Sequence, residues 1–366
     1  DPPWPTVSHQ FIRQGKKWHD VPAFVRKAFA DLLEPPSHLT AHFPSPDLPI
    51  PDLLALNLPT QTTSLSLFPV SSWLSASLPT QLSPAQHSRL VHERTIPPPE
   101  VLVTLGNKLG QFWLDGAQGI TDPRYQEKIV WPFWGYTLWR QWSDILSARG
   151  KWSKATQWLE RAVKNKEIAA ATSEGVNGTL GSRGWCSELI YGGTVYLAHE
   201  MAPLLSHNVL LENVTEVLIA KLQQRLAQDA VAREAHYICA APFAQLLSIV
   251  EARKVFDKRV LPTSIRELEK WQETRPDAKV WFTALVGNHQ FVFCVDFKKK
   301  TLAYGDGIAN YSAPKRLLAA TLFWLKKRYK KSFKNLGKVL KHGVQKDVIS
   351  CIPIAVNAIA HGVFGD

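Results

Sequence analysis

Apolar positions fall at three- and four-residue steps through much of this chain and alternate in one stretch of its second half. The two periods predict helices and strands respectively. The first helical stripe combines Phe24, Ala28 and Leu32 with Val25, Phe29 and Leu33. Pro22 suits its opening turn, where a missing N–H costs nothing. Residues 1–34 thus read as a short helical N-terminal segment. The pattern then fails. Residues 35–99 hold 13 of the 25 prolines, and from 35 to 90 only Asp47, Asp52 and Arg89 are charged. Proline at that density predicts an extended, partly disordered segment (35–98) without helices. Its leucines with Phe43, Phe68 and Trp73 predict that parts of it lie against a folded surface.

Helical periodicity returns over 99–170. Pro99-Glu100 opens a run through Leu102, Leu105, Leu109, Phe112 and Trp113. Asp122-Pro123 opens another through Trp131, Trp134, Leu138, Trp139 and Trp142, with Pro132 as a kink and Gly150 as a stop. Trp152 to Val163 continues as a further helix. The tryptophans read as a helical core rather than a ligand-binding cage. Residues 171–184, rich in Gly, Ser and Thr, read as a loop. Beyond them the pattern mixes. Trp185 to Met201 and Leu210 to Gln228 look helical. Lys279 to Val286, Gln290 to Phe297 and Thr301 to Gly305 look like strands. Gly287-Asn288 and Lys298-Lys299-Lys300 turn them into a meander. Ala313 to Lys331 carries a helical stripe of Leu318, Leu322, Leu325 and Tyr329, and an apolar run closes the chain from Cys351 to Phe364. The expectation is an α+β domain over 171–366, preceded by a mostly helical, Trp-rich region over 99–170.

Composition sharpens this in two ways. Hydrophobic residues make up 45% of the 366, which excludes wholesale disorder, and no apolar run reaches the roughly 20 residues that span a bilayer. No membrane partner is expected. The chain opens on Asp1 without a visible signal peptide, which suggests numbering that begins inside a longer protein or after processing. The net charge of +12 is concentrated. Residues 250–345 hold 21 Lys and Arg against 8 Asp and Glu, and 315–341 hold ten basic residues and no acidic one. That segment is a solvated helix face or a contact for an acidic or nucleic-acid partner. A nuclear or cytoplasmic location fits either. The four cysteines, Cys186, Cys239, Cys294 and Cys351, have no metal-type spacing. A reducing compartment is the default.

Four polar residues in the second half suggest a chemistry together. His289 stands at the mouth of a strand and Asp306 ends the hairpin that follows. Gln345 lies six residues before Cys351, and Cys351 stands where a loop enters a buried helix. Thiol catalysis needs these types of group. The thiolate is the nucleophile, favoured by an imidazolium and a helix N-terminus. A carboxylate orients the imidazole, and a side-chain amide donates to the oxyanion. No cofactor or metal is required. Asp296 is the competing acid, placed for a hairpin-end role.

The segment from His289 to Asp306, and Gln345-Lys-Asp-Val-Ile-Ser-Cys351 with Val356-Asn357, resemble the corresponding motifs of the ubiquitin-like-protein-specific cysteine proteases (the Ulp1/SENP family) in order and spacing. Trp185-Cys-Ser-Glu-Leu-Ile190 is similar to the segment that opens that family's catalytic domain. The resemblance covers roughly 180–366. It implies a papain-like thiol-protease fold, with Cys351 as nucleophile, His289 as general base, Asp306 as its orienting acid and Gln345 as oxyanion donor. It also implies a SUMO-like or other ubiquitin-like modifier as substrate, its Gly-Gly tail entering a narrow tunnel under Trp185. Two positions depart from the family pattern. Gln290 stands where the family usually has Trp, on a wall of that tunnel, and Ile352 stands where it usually has Gly. The alternatives are a weakly active or inactive protease-fold module that binds a modifier or nucleic acid, and an acyltransferase.

Overall fold

The computed structural model describes residues 15–62, 68–191, 194–206, 210, 212–253, 261–308, 311–345, 347 and 350–365. Residues 1–14 of the expected N-terminal segment lie outside them. The chain divides into two compact units, one made of 1–154 and 165–187, the other of 155–164 and 188–366.

The first unit is mostly helical. Helix α1 (Ala23–Asp31) follows Pro22 and buries Val25 and Phe29. The proline-rich stretch contains α2 (Ser37–Thr40), α3 (Ile50–Ala55) and α4 (Pro84–Glu93), which corrects the expectation of a helix-free segment. Proline is excluded from helix interiors, not from N-caps and first turns. Pro36 and Pro49 are N-caps, and Pro84 opens α4 behind a Ser83–Gln86 capping box. Leu39, Ile50, Leu53 and Trp73 are buried, so this stretch does lie on a core.

Helix α5 (Pro99–Leu114) follows the sequence pattern. The helix expected from Asp122 does not form. A small antiparallel sheet stands there, β1 (Leu74–Ser75), β2 (Gly119–Thr121) and β3 (Val130–Trp131). Asp122 is 3% exposed and takes both arms of Arg124, at 2.8 and 2.5 Å. The side chain that would have capped a helix holds an ion pair instead. Helix α6 (Trp134–Lys164) starts beyond Pro132 and runs through Gly150 without a stop. Nothing lies within 4 Å of a Cβ added at Gly150, so the residue only weakens the helix locally. Trp73, Trp113, Trp131 and Trp142 are less than 2% exposed, packed edge to face with partners such as Phe43 on Trp142 at 4.8 Å. They form a core, not a cage. The expected loop over 171–184 is mainly helix α7 (Ala170–Ser182). Only Ser173 and Leu180 of it are buried, so it carries no apolar stripe for a pattern search to find.

The second unit is α+β. The predicted helix from Trp185 is replaced by a hairpin of β4 (Glu188–Tyr191) and β5 (Thr194–Leu197). The unit is centred on five strands in the order β10-β9-β8-β7-β6: β6 (His236–Ile238), β7 (Lys279–Val286), β8 (His289–Asp296), β9 (Thr301–Gly305) and β10 (Lys334–Lys338). The meander β7–β8–β9 is antiparallel, in register Val286↔His289 and Asp296↔Thr301, and both edge strands run parallel to their neighbours. Every residue of β8 is buried, as a strand covered on both faces requires.

One face of the sheet carries α10 (Phe243–Arg253), α11 (Thr263–Glu273) and α12 (Lys315–Tyr329), around Phe243, Phe282, Phe293 and Trp324. The other carries α8 (Glu212–Gln228), the short α9 (Ala230–Ala235) and α13 (Cys351–Phe364), around Val214, Ala232, Trp281, Val292, Ala355 and Ile359. A Cβ added at Gly362 of α13 would stand 2.2 Å from the Trp281 ring, so glycine lets that helix approach the sheet.

Candidate active site

The β8–β9 hairpin brings His289 and Asp306 together across seventeen residues of sequence. The imidazole Nε2 meets Asp306 Oδ1, and the two side chains are 4% and 0% exposed. Asp306 Oδ1 also accepts the Ile308 backbone N–H at 2.9 Å, and its Oδ2 accepts from Lys338 Nζ at 3.3 Å. The carboxylate is thus held by an imidazole, an amide and an ammonium. The ring itself is gripped by Phe291, edge-on at 5.0 Å, and by Tyr311 at 4.4 Å. With Nε2 committed to the carboxylate, Nδ1 is the nitrogen left for chemistry.

Cys351 is the first residue of α13 and is 4% exposed. The entry to the helix is built by the residues before it. Asp347 Oδ1 accepts from the Ser350 N–H at 2.7 Å and its Oδ2 from the Ser350 hydroxyl at 2.6 Å. This explains why an Asp and a Ser stand at those offsets: they fold the loop into the first turn. Cys351 is bracketed by two neighbours that reach the catalytic end of the sheet. Ile352 and Gln290, beside His289, line the same small cavity of about 30 Å³. Ile354, one turn along the helix from Cys351, packs 3.2 Å from the Cβ position of Gly307, beside Asp306. No described hydrogen bond joins the thiol to the imidazole.

Gln345 is tied to the same corner. Its backbone N–H donates to Gly307 O at 2.9 Å. Its side-chain Oε1 and Nε2 are both buried without a hydrogen-bond partner among the described residues. A buried, unpaired amide costs of the order of 1–3 kcal/mol.

Trp185 is held by its own neighbours. It belongs to the first unit, is 6% exposed, and its indole N–H donates to Ser45 O at 2.8 Å. Its backbone N–H donates to Leu48 O, and its carbonyl accepts from Trp152 Nε1. Ile352 points into the core of the second unit and is 4% exposed. Asp296 lies at the far end of β8 and accepts the Lys299 N–H at 2.8 Å, a turn-capping role.

Sequence reasoning missed Lys338 and Tyr311. Lys338 reached the site only through the parallel pairing of β10 with β9, and no local pattern announces such a pairing. Two of the other thiols, Cys239 and Cys294, are unlike a nucleophile. Burial pushes Cys294 up to about 12 and Cys239 well above the ordinary thiol range.

No known family profile and no curated protein matches this chain. Solved structures do show a likeness. The SUMO protease Ulp1 with its catalytic cysteine oxidised to a sulfenic acid aligns over 54% of this chain and 84% of its own at 14% identity, TM-score 0.40. The C-terminal Ulp1 protease domain in complex with Smt3, the yeast orthologue of SUMO, aligns over the same shares at 15% identity, TM-score 0.39. The Xanthomonas campestris effector XopD bound to ubiquitin aligns over 43% of this chain and 76% of its own at 17% identity, TM-score 0.29. At these scores the likeness adds no weight to the geometry described above.

Proposed function

We propose that the second unit is a cysteine peptidase or isopeptidase that cleaves after the C-terminus of a ubiquitin-like modifier. The observation that carries the reading is the buried His289–Asp306 contact, made through Nε2, at the end of the sheet where α13 delivers Cys351. Cys351 attacks the carbonyl carbon as His289 Nδ1 takes up the thiol proton. The C–N bond of the tetrahedral intermediate then breaks, and His289 returns the proton to the leaving amine. Water, activated by the same imidazole, hydrolyses the thioester and regenerates the thiol. Asp306 holds the imidazole in orientation and stabilises its charged form. The Gln345 side-chain amide donates to the oxyanion. The small cavity between Gln290 and Ile352 suits a substrate with glycine next to the scissile bond, as the resemblance implies.

The test uses the full chain and SUMO- or ubiquitin-type modifiers fused through a C-terminal Gly-Gly to a reporter amine. The wild type is expected to release the reporter, and Cys351→Ser to lower the rate at least about a thousandfold. Absence of release from every modifier, under conditions where an authentic modifier protease works, would overturn the reading.

A further inference from the structure

A cleft of about 530 Å³ opens between α10, the β7–β8 turn and the start of α12. Its inner end is next to the chemistry. Gly287, two residues before His289, lines it, and a Cβ at Gly287 would stand 3.8 Å from the hydroxyl of Tyr311, the ring packed on His289. Its wall also joins the small cavity beside Cys351, because Gln245 and Leu285 line both.

The chemistry of the cleft is of two kinds. Ile249 and Leu285 line it and are 45% and 43% exposed. They rank among the more exposed large hydrophobic residues of this unit, and they stand together. At the rim are Lys315 and Arg316, both exposed, with no side-chain partner among the described residues. Among the described residues no acidic side chain lines the cleft. The two cations also sit at an unfavourable place. They open the fifteen-residue helix α12, whose first turn has no acidic residue and whose N-cap, Pro314, makes no side-chain capping bond. A helix N-terminus favours anions, and cations there reinforce a positive potential instead of offsetting it. The result is an apolar floor under a concentrated, uncompensated positive rim.

We propose that this cleft is the specificity subsite of the enzyme, and that it takes an acidic-and-apolar polypeptide segment of the substrate near the scissile bond. Leu285 and Ile249 bury an apolar side chain of the substrate. Lys315 and Arg316, with the α12 N-terminus, pair with an Asp or Glu carboxylate. The inference rests on the peptidase reading of Cys351 and His289 and names the substrate sequence that site selects. It also divides the basic stretch 315–341 by role. Lys315 and Arg316 face substrate, Arg328 is neutralised by Glu269 and Glu273 at 2.7 and 3.1 Å, and Lys338 holds Asp306.

The test separates binding from catalysis. Fluorescein-labelled octapeptides ending in Gly-Gly, with alternating Leu and Glu or alternating Leu and Lys before it, are titrated by anisotropy into the full-length Cys351→Ala protein. The Glu peptide is expected to bind at least tenfold more tightly than the Lys peptide. Lys315→Glu with Arg316→Glu is expected to reverse that order, and both substituted positions are exposed, so folding is preserved. Equal affinities, no binding of the Glu peptide, or an order unchanged in the double variant would overturn the proposal. Wild-type turnover of the same peptides carrying a C-terminal reporter amine is then measured. Turnover without a preference for Glu overturns the subsite and leaves the peptidase reading intact. Charge-selective binding without any turnover of peptides or modifier fusions supports the cleft as a peptide site and overturns the peptidase reading.

Discussion

The two ends of the central sheet carry the same kinds of residue and do different work. At one end, His289 opens β8 and Asp306 follows β9. At the other, Asp296 closes β8 within a cross-strand row, His236–Lys279–Asp296–Thr301–Lys334, beside the turn Lys298–Lys300. Both aspartates are buried, at 2% and 8% exposed. Asp306 faces an imidazole, a backbone amide and an ammonium, whereas Asp296 caps a turn through Lys299. A buried carboxylate by itself says little. What faces it decides whether it orients a base or ends a hairpin.

Exchanging the two acids is the strongest way to break this comparison. Asp306→Asn is expected to lower kcat by about 10²- to 10⁴-fold, as loss of an orienting carboxylate does elsewhere. Asp296→Asn is expected to leave kcat within about twofold and to cost about 1 kcal/mol of stability through a weakened turn cap, read from denaturant midpoints. Similar losses of activity in both would erase the distinction. Lys338 offers a smaller test at the active end. Lys338→Met should reduce kcat by about 3- to 10-fold, equivalent to roughly 1 kcal/mol of transition-state stabilisation, with Arg restoring most of it. A Met variant as active as the wild type would reduce Lys338 to a packing role.

The thiols sharpen the comparison further. Because burial holds Cys294 and Cys239 protonated at neutral pH, iodoacetamide should spare both in the native protein and label both after denaturation, as peptide mass mapping would show. The smallest effect is expected at the far end. His236 accepts from Trp281 Nε1 at 3.1 Å, and burial with the nearby Lys279 charge lowers its pKa. The unfolded chain therefore takes up the proton first, and stability falls as pH drops below about 6.5. His87 in the first unit shifts the same way. His236→Gln should lessen the fall in Tm between pH 7 and 5 without altering activity at pH 7.

The meander, α12 and α13 were legible because their apolar periods are unbroken and their turns carry Gly-Asn or a lysine corner. The meeting of His289 with Asp306 was expected from the resemblance rather than from strand register, since the β8–β9 pairing ends at Val292↔Gly305 and the two side chains meet beyond it. Three things escaped. The short helices of the proline-rich stretch begin on prolines that were counted as breakers. The strand at Val130–Trp131 was hidden because Asp122 serves a buried ion pair instead of a cap. Helix α7 stands where Gly, Ser and Thr predict a loop, because only Ser173 and Leu180 of it are buried and no apolar stripe marks it. Lys338, Tyr311 and the cleft at Lys315 and Arg316 depend on tertiary placement and have no signature in the chain.

The most direct measurement is covalent capture of the full-length protein by a modifier whose C-terminal glycine carries an electrophile, with the adduct mapped by mass spectrometry. The reading predicts one adduct, on Cys351, formed at least about a hundredfold more slowly in His289→Ala. An adduct on Cys186, or a Cys351 adduct formed equally fast without the imidazole, would contradict it.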